Sequence, residues 1–206
     1  MPPPSMSLRA NTLANLGSQL LTAVLVLALA PAYIDQLGLE AWGLIGILAV
    51  LSAWFNLLDV GLTPAITREV AGSHGGGPAA ARRAGELVRC VELIYLGLML
   101  GIVILVGISA GYIATRWLQL TTLQVTQASA AIALMGLVVA LRLYENIYRS
   151  ILIGFEELLT LNALSSVFAV LRWGGGLIFI AVEDPGTVVV LFAWQAGVAA
   201  ISLLVF

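Results

Sequence analysis

Long apolar runs separated by short clusters of charge, Gly and Pro dominate the chain. Their lengths predict helices that cross a bilayer, which takes about 20 mostly apolar residues. Six such spans fall near residues 15–34, 42–62, 93–114, 128–148, 158–182 and 187–206. The short turn at residues 35–41 makes the first two a tight helical hairpin. Residues 67–86, which contain Ser73-His74-Gly75-Gly76-Gly77-Pro78, read as a loop. Glu183-Asp184-Pro185-Gly186 breaks the helix before the last run. That run reaches the chain end without a polar flank, so the sequence is expected to be a piece of a longer protein.

Polar positions inside the spans are periodic. At 100° per residue, Asn11, Asn15, Ser18, Gln19 and Thr22 share an arc of about 100° on the first span. Ser52, Asn56, Asp59 and Thr63 share about 60° on the second. A polar group in hydrocarbon needs a partner or water, so each stripe reads either as a hydrogen-bonding seam between helices or as the wall of a wet cleft. Arg172 lies about 11 residues, or roughly 16 Å of rise, into the fifth span, near the bilayer midplane. An Arg there costs about 2.5–3.5 kcal/mol on insertion scales, so it should face a carboxylate or a wet cavity. Asn162, Ser165, Ala169 and Gly176 are expected on the same side. At the end of the fourth span Arg142, Glu145, Asn146 and Arg149 share about 100°, either as a solvated helix end or as an entrance attracting anionic head groups. The pairs Gly97/Gly101 and Gly107/Gly111 predict a closely approaching neighbour for the third span.

Composition narrows the class. Of 206 residues 61% are apolar and only 10% charged, with mean hydropathy +1.05, which excludes a soluble domain and leaves only short loops outside the spans. A net charge of -2 gives no sign of a nucleic-acid partner. The single Cys90 excludes an internal disulfide, and His74 has no second ligand near it in sequence. No P-loop, nucleophile elbow or HExxH is present, so neither an enzyme nor a cofactor is implied. All nine cationic side chains are Arg, each a permanent charge able to fork onto a carboxylate or phosphate. Arg9, Arg68, Arg82, Arg83, Arg89, Arg142 and Arg149 fall on one side of the predicted topology and Arg116 on the other, which predicts a cytoplasmic N-terminus.

Two stretches carry a family resemblance. The first contains Pro31-Ala32-Tyr33-Ile34, Leu37-Gly38-Leu39-Glu40-Ala41-Trp42-Gly43-Leu44, Leu58-Asp59-Val60-Gly61-Leu62 and Arg68-Glu69-Val70-Ala71. The second runs Tyr148-Arg149-Ser150-Ile151-Leu152-Ile153-Gly154-Phe155-Glu156, followed by Asn162. Together they resemble the O-antigen and polysaccharide flippases of the multidrug/oligosaccharidyl-lipid/polysaccharide exporter superfamily. The resemblance implies an all-α, polytopic N-terminal lobe of about six spans, paired with a C-terminal half outside this sequence around a central cavity. It implies a bacterial inner-membrane protein that moves a polyprenyl-diphosphate-linked oligosaccharide among membrane lipids, coupled to a cation gradient, without covalent chemistry. Substrate contacts would then fall to Arg172, Asn15, Gln19, Asn56, Asp59, Arg142 and Arg149. A drug or metabolite exporter of the same superfamily, a membrane-embedded transferase and a non-transporting membrane scaffold are the competing classes. The loops are too poor in acids and His to favour the transferase.

Overall fold

The computed structural model describes residues 4–58, 61–73, 76–118, 120–182 and 187–206, and of residues 4–11, 56 and 58 the backbone only. All regular structure among them is helical: α1 (Pro4–Leu37), α2 (Leu39–Leu58), α3 (Leu62–Ser73), α4 (Gly77–Tyr112), α5 (Val125–Gly154), α6 (Leu158–Val170), α7 (Gly176–Val182) and α8 (Val188–Val205). Single π-helical turns extend α4 through Ile113–Trp117 and join α6 to α7 through Leu171–Gly175. Among the described residues five helical stretches are long and apolar enough to cross a membrane: Thr12–Leu37, Gly77–Trp117, Val125–Gly154, Leu158–Val182 and Val188–Val205. The second predicted span appears as a shorter apolar helix, Leu39–Phe55. The chain is an all-α, multi-pass membrane protein.

Three sequence expectations change. The second span stops at Leu58 instead of 62, and Gly61 adopts φ +113, a left-handed conformation that side chains with a Cβ rarely take. Thr63 therefore belongs to α3 and leaves the Ser52 stripe. Asp59, His74, Glu183, Asp184, Pro185 and Gly186 lie outside the described residues, as do the side chains of Arg9, Asn11 and Asn56. The expected 67–86 loop is mostly helix. Ile66 and Val70, four apart, give α3 a buried face, and Ala79, Ala80, Ala81 and Ala84 are strong helix formers that let α4 begin at Gly77. Finally, Gly97, Gly101 and Gly107 have nothing within 4 Å of where a Cβ would stand, and Gly111 meets only Ser129 at 3.9 Å. Their face of α4 is exposed within this chain, beside Ile104, Leu105 and Ile108.

α5 is the helix around which the others assemble, in contact with α2, α3, α4, α6 and α8. Its apolar residues are buried on two faces. Met135, Val138 and Val139 join Tyr33, Leu44, Leu48, Leu191 and Phe192 in one core. Ile132, Ala140, Leu143 and Ile147 join Ile66, Val70, Val91, Tyr95 and Ile102 in the other. Glycine is required where α4 and α3 lean on α5: a Cβ on Gly136 would stand 2.7 Å from Val106 Cβ, and one on Gly154 2.8 Å from Val70 Cβ. Gly136→Ala should cost about 1–3 kcal/mol of stability, the scale of an overpacked core. Gly97→Ala should stay within about 0.5 kcal/mol, as surface changes do. Thermal unfolding in one detergent, with equal losses for both variants, would refute this packing.

At the opposite end of the bundle from the α1 N-terminus, Glu40 ties the first hairpin to the α4–α5 connection. Its Oε1 accepts the N–H of Thr121 at 2.8 Å and of Thr122 at 3.1 Å. Its Oε2 accepts the N–H of Leu123 at 2.8 Å, and the Thr121 hydroxyl also donates to the carboxylate. The Thr121 hydroxyl, followed by the Leu123 and Thr121 amides, holds the carboxyl down to about 2 from an ordinary 4.5. A native value below the unfolded one stabilises fully above about pH 4.5 and is lost as pH falls toward 2. Unfolding midpoints should therefore be level across neutral pH and drop below about 4.5. The acid drop should be shallower in Glu40→Gln; an unchanged acid limb in that variant would contradict the assignment.

Candidate functional site

α1 packs on α6, and the polar stripes of both border one cleft. It measures about 720 Å³ and is lined by Asn15, Ser18, Gln19 and Thr22 of α1, by Asn162, Ser165 and Ala169 of α6, and by Arg172 of the π turn. Glu145 and Arg149 of α5 close it. Beyond them lies a smaller cavity of about 240 Å³, lined by Ser52, Arg142, Asn146, Arg149, Glu145 and Arg172. The last three residues border both spaces.

A hydrogen-bonding seam would bond α1 to α6. The observed bonds instead stay within each helix: Gln19 Nε2 donates to Asn15 Oδ1 at 3.2 Å, and Thr22 to the Ser18 carbonyl at 3.0 Å. Ser52 donates to Leu48 at 2.8 Å, Asn162 to Leu158 at 2.8 Å and Ser165 to Leu161 at 2.7 Å. Bonding back to the preceding turn satisfies these donors locally and leaves both stripes facing the cleft.

The charges are unequal. Among the described residues three guanidinium groups, Arg142, Arg149 and Arg172, surround one carboxylate, Glu145. Glu145 is 5% exposed, accepts from Arg149 Nη1 at 3.2 Å and takes the Ser202 hydroxyl of α8 at 2.7 Å. Arg142 Nε and Arg172 Nε are buried with no hydrogen-bond partner, and neither Arg forms an ion pair among the described residues. Two positive charges in excess, inside an apolar bundle, make this space attractive to an anion.

Arg172 owes its position to the π turn. The wider turn misaligns the backbone ladder, and outside side chains take up its carbonyls: Tyr33 donates to Trp173, and Trp194 Nε1 to Leu171 at 2.9 Å. The run Gly174-Gly175-Gly176 makes room for them. A Cβ on Gly175 would stand 2.6 Å from the Trp194 ring, and one on Gly176 2.8 Å from the Tyr33 hydroxyl. Gly176 therefore faces Tyr33 and Trp194 instead of the cleft expected for it, because five π-helical residues rotate the chain less than 100° each.

Of the residues singled out from sequence, Arg172, Asn15, Gln19, Arg142 and Arg149 meet around these two spaces. The Asn56 side chain and Asp59 lie outside the described residues. The Arg142–Arg149 turn does not form a solvated helix end, because α8 covers Glu145 through Ser202. Two residues escaped the sequence reading: Gln195, fully buried with both amide atoms unpartnered, and Ser202. Their signal was present, since they are two polar side chains seven residues apart on one face of an otherwise apolar run. No protein-family model, curated protein or solved structure matches the chain.

Proposed function

We propose that the chain is one lobe of a flippase carrying a polyprenyl-diphosphate-linked oligosaccharide across the bacterial inner membrane, with its N-terminus in the cytoplasm. The observation that carries this reading is the cluster of Arg142, Arg149 and Arg172 against one acid among the described residues, Glu145, at the wall of a polar cleft. A diphosphate bears at least two negative charges and offers paired oxygens to guanidinium forks, so it matches the excess charge and the free Nε donors. The same excess disfavours an organic-cation exporter, which needs unpaired acid in its cavity. The cleft would bind the head group while its glycan follows through water and its prenyl chain stays in lipid. A second lobe and alternating access complete the transport cycle.

Cysteines placed at Asn15 and Ser165, in a background carrying Cys90→Ser, test the reading. Both should react with a membrane-impermeant thiol reagent in proteoliposomes, and undecaprenyl diphosphate should protect them. Labelling that the lipid leaves unchanged would overturn the substrate assignment. Reporters fused after Gly77 and after Pro185 should behave as cytoplasmic and external respectively; the reverse would overturn the orientation.

A further inference from the structure

A third space adjoins the arginine cavity through Ser52 and Arg142. It measures about 280 Å³ and lies among α1, α2, α5, the π turn and α8. Gln195 of α8 lines it, 0% exposed, with neither amide Nε2 nor Oε1 hydrogen-bonded. An orphaned amide deep in an apolar bundle is destabilising and calls for a partner. Beside it stand the indoles of Trp42 and Trp173, held by Tyr33 between them, whose ring lies 6.1 Å from the first and 6.0 Å from the second.

We infer that this pocket is a sugar-ring subsite, in which Gln195 hydrogen-bonds the hydroxyls of the saccharide nearest the diphosphate. The inference rests on the diphosphate reading above and adds the residue that tells a glycosylated carrier from a bare one. A carboxamide presents one acceptor and two donors side by side, the complement of neighbouring sugar hydroxyls, each of which both donates and accepts. Indole faces cover the apolar C–H faces of a pyranose while excluding water. Arg142 borders both the arginine cavity and this pocket, so a diphosphate in the first places its attached sugar at the mouth of the second. Gln195 thus stays unpartnered until the sugar enters, and the unmet hydrogen bonds favour the ligand that fills them.

The test uses the full 206-residue chain in lipid nanodiscs, with undecaprenyl diphosphate and undecaprenyl diphosphate bearing one N-acetylhexosamine as probes. The native chain should bind the glycosylated probe about tenfold more tightly than the bare one, the scale of one or two added hydrogen bonds. Gln195→Leu and Gln195→Met, which keep the bulk and remove the amide, should bind both probes equally. Without ligand, both should melt at or above the native temperature, since an unsatisfied buried group has gone. Retention of the tenfold preference in both variants would overturn the subsite while leaving the diphosphate reading intact. Equal binding of the two probes by the native chain would also overturn it and assign the amide to ordered water. If the native chain bound neither probe, the diphosphate reading and the subsite would fall together.

Discussion

Arg172→Ala should weaken undecaprenyl diphosphate binding roughly ten- to a hundredfold and remove protection of the cleft cysteines, while leaving membrane insertion unchanged. The size follows from losing one charge-assisted hydrogen bond, at about 1.5–3 kcal/mol. Insertion is spared because removing an Arg from the middle of an apolar span makes that span easier to insert. Arg172→Lys should recover part of the affinity, since the charge remains but the planar fork is lost. An Arg serving only packing gives a different pattern: Ala would reduce folded protein, and binding per folded molecule would stay normal. Measuring affinity alongside the amount of folded protein separates the two, and normal affinity in the Ala variant would remove Arg172 from the site.

The second large effect concerns stability. Among the described residues Glu145 is the only carboxylate lining the cavity shared by Arg142, Arg149 and Arg172. Its bond to Ser202 also fastens α8 to α5. Deleting it leaves buried guanidinium groups uncompensated, a change worth about 3–5 kcal/mol when one partner of a buried ion pair is removed. Against a total stability of about 5–15 kcal/mol, Glu145→Ala should lower the unfolding temperature on the order of 10 °C. Glu145→Gln keeps the shape and an acceptor for Ser202, so its loss should be smaller, and the greater positive excess should leave diphosphate affinity equal or higher. An unchanged unfolding temperature in Glu145→Ala would mean that the cluster is hydrated and electrostatically independent of its acid.

What sequence could reveal depended on how local each feature is. The stripe Asn15, Ser18, Gln19 and Thr22 was legible because a regular helix has a fixed period, and the presence of Arg172 inside an apolar run followed from hydropathy alone. The same rule misplaced Gly176, since it presumes 100° at every residue and the π turn at 171–175 breaks that presumption. Gly75-Gly76-Gly77 signalled a break between α3 and α4 but concealed the helices on either side. The α3 face of Ile66 and Val70 was hard to read in so short a segment with charged neighbours.

The sequence by itself determined the solvent and the class of this protein: apolar runs of bilayer length with almost no charge admit only buried-backbone helices in a membrane. It also placed a permanent cation, Arg172, about midway along the fifth apolar run. Tertiary structure alone decided which helix is central, that α1 packs on α6 with the polar stripes of both bordering one cleft, and that Glu145 is covered by α8. It likewise left Gln195 without a partner and exposed the Gly97/Gly101 face that spacing assigned to a close neighbour. The physical reason is range. Hydropathy and periodicity are properties of one segment, whereas burial, charge pairing and unmet hydrogen bonds belong to contacts between segments far apart in the chain.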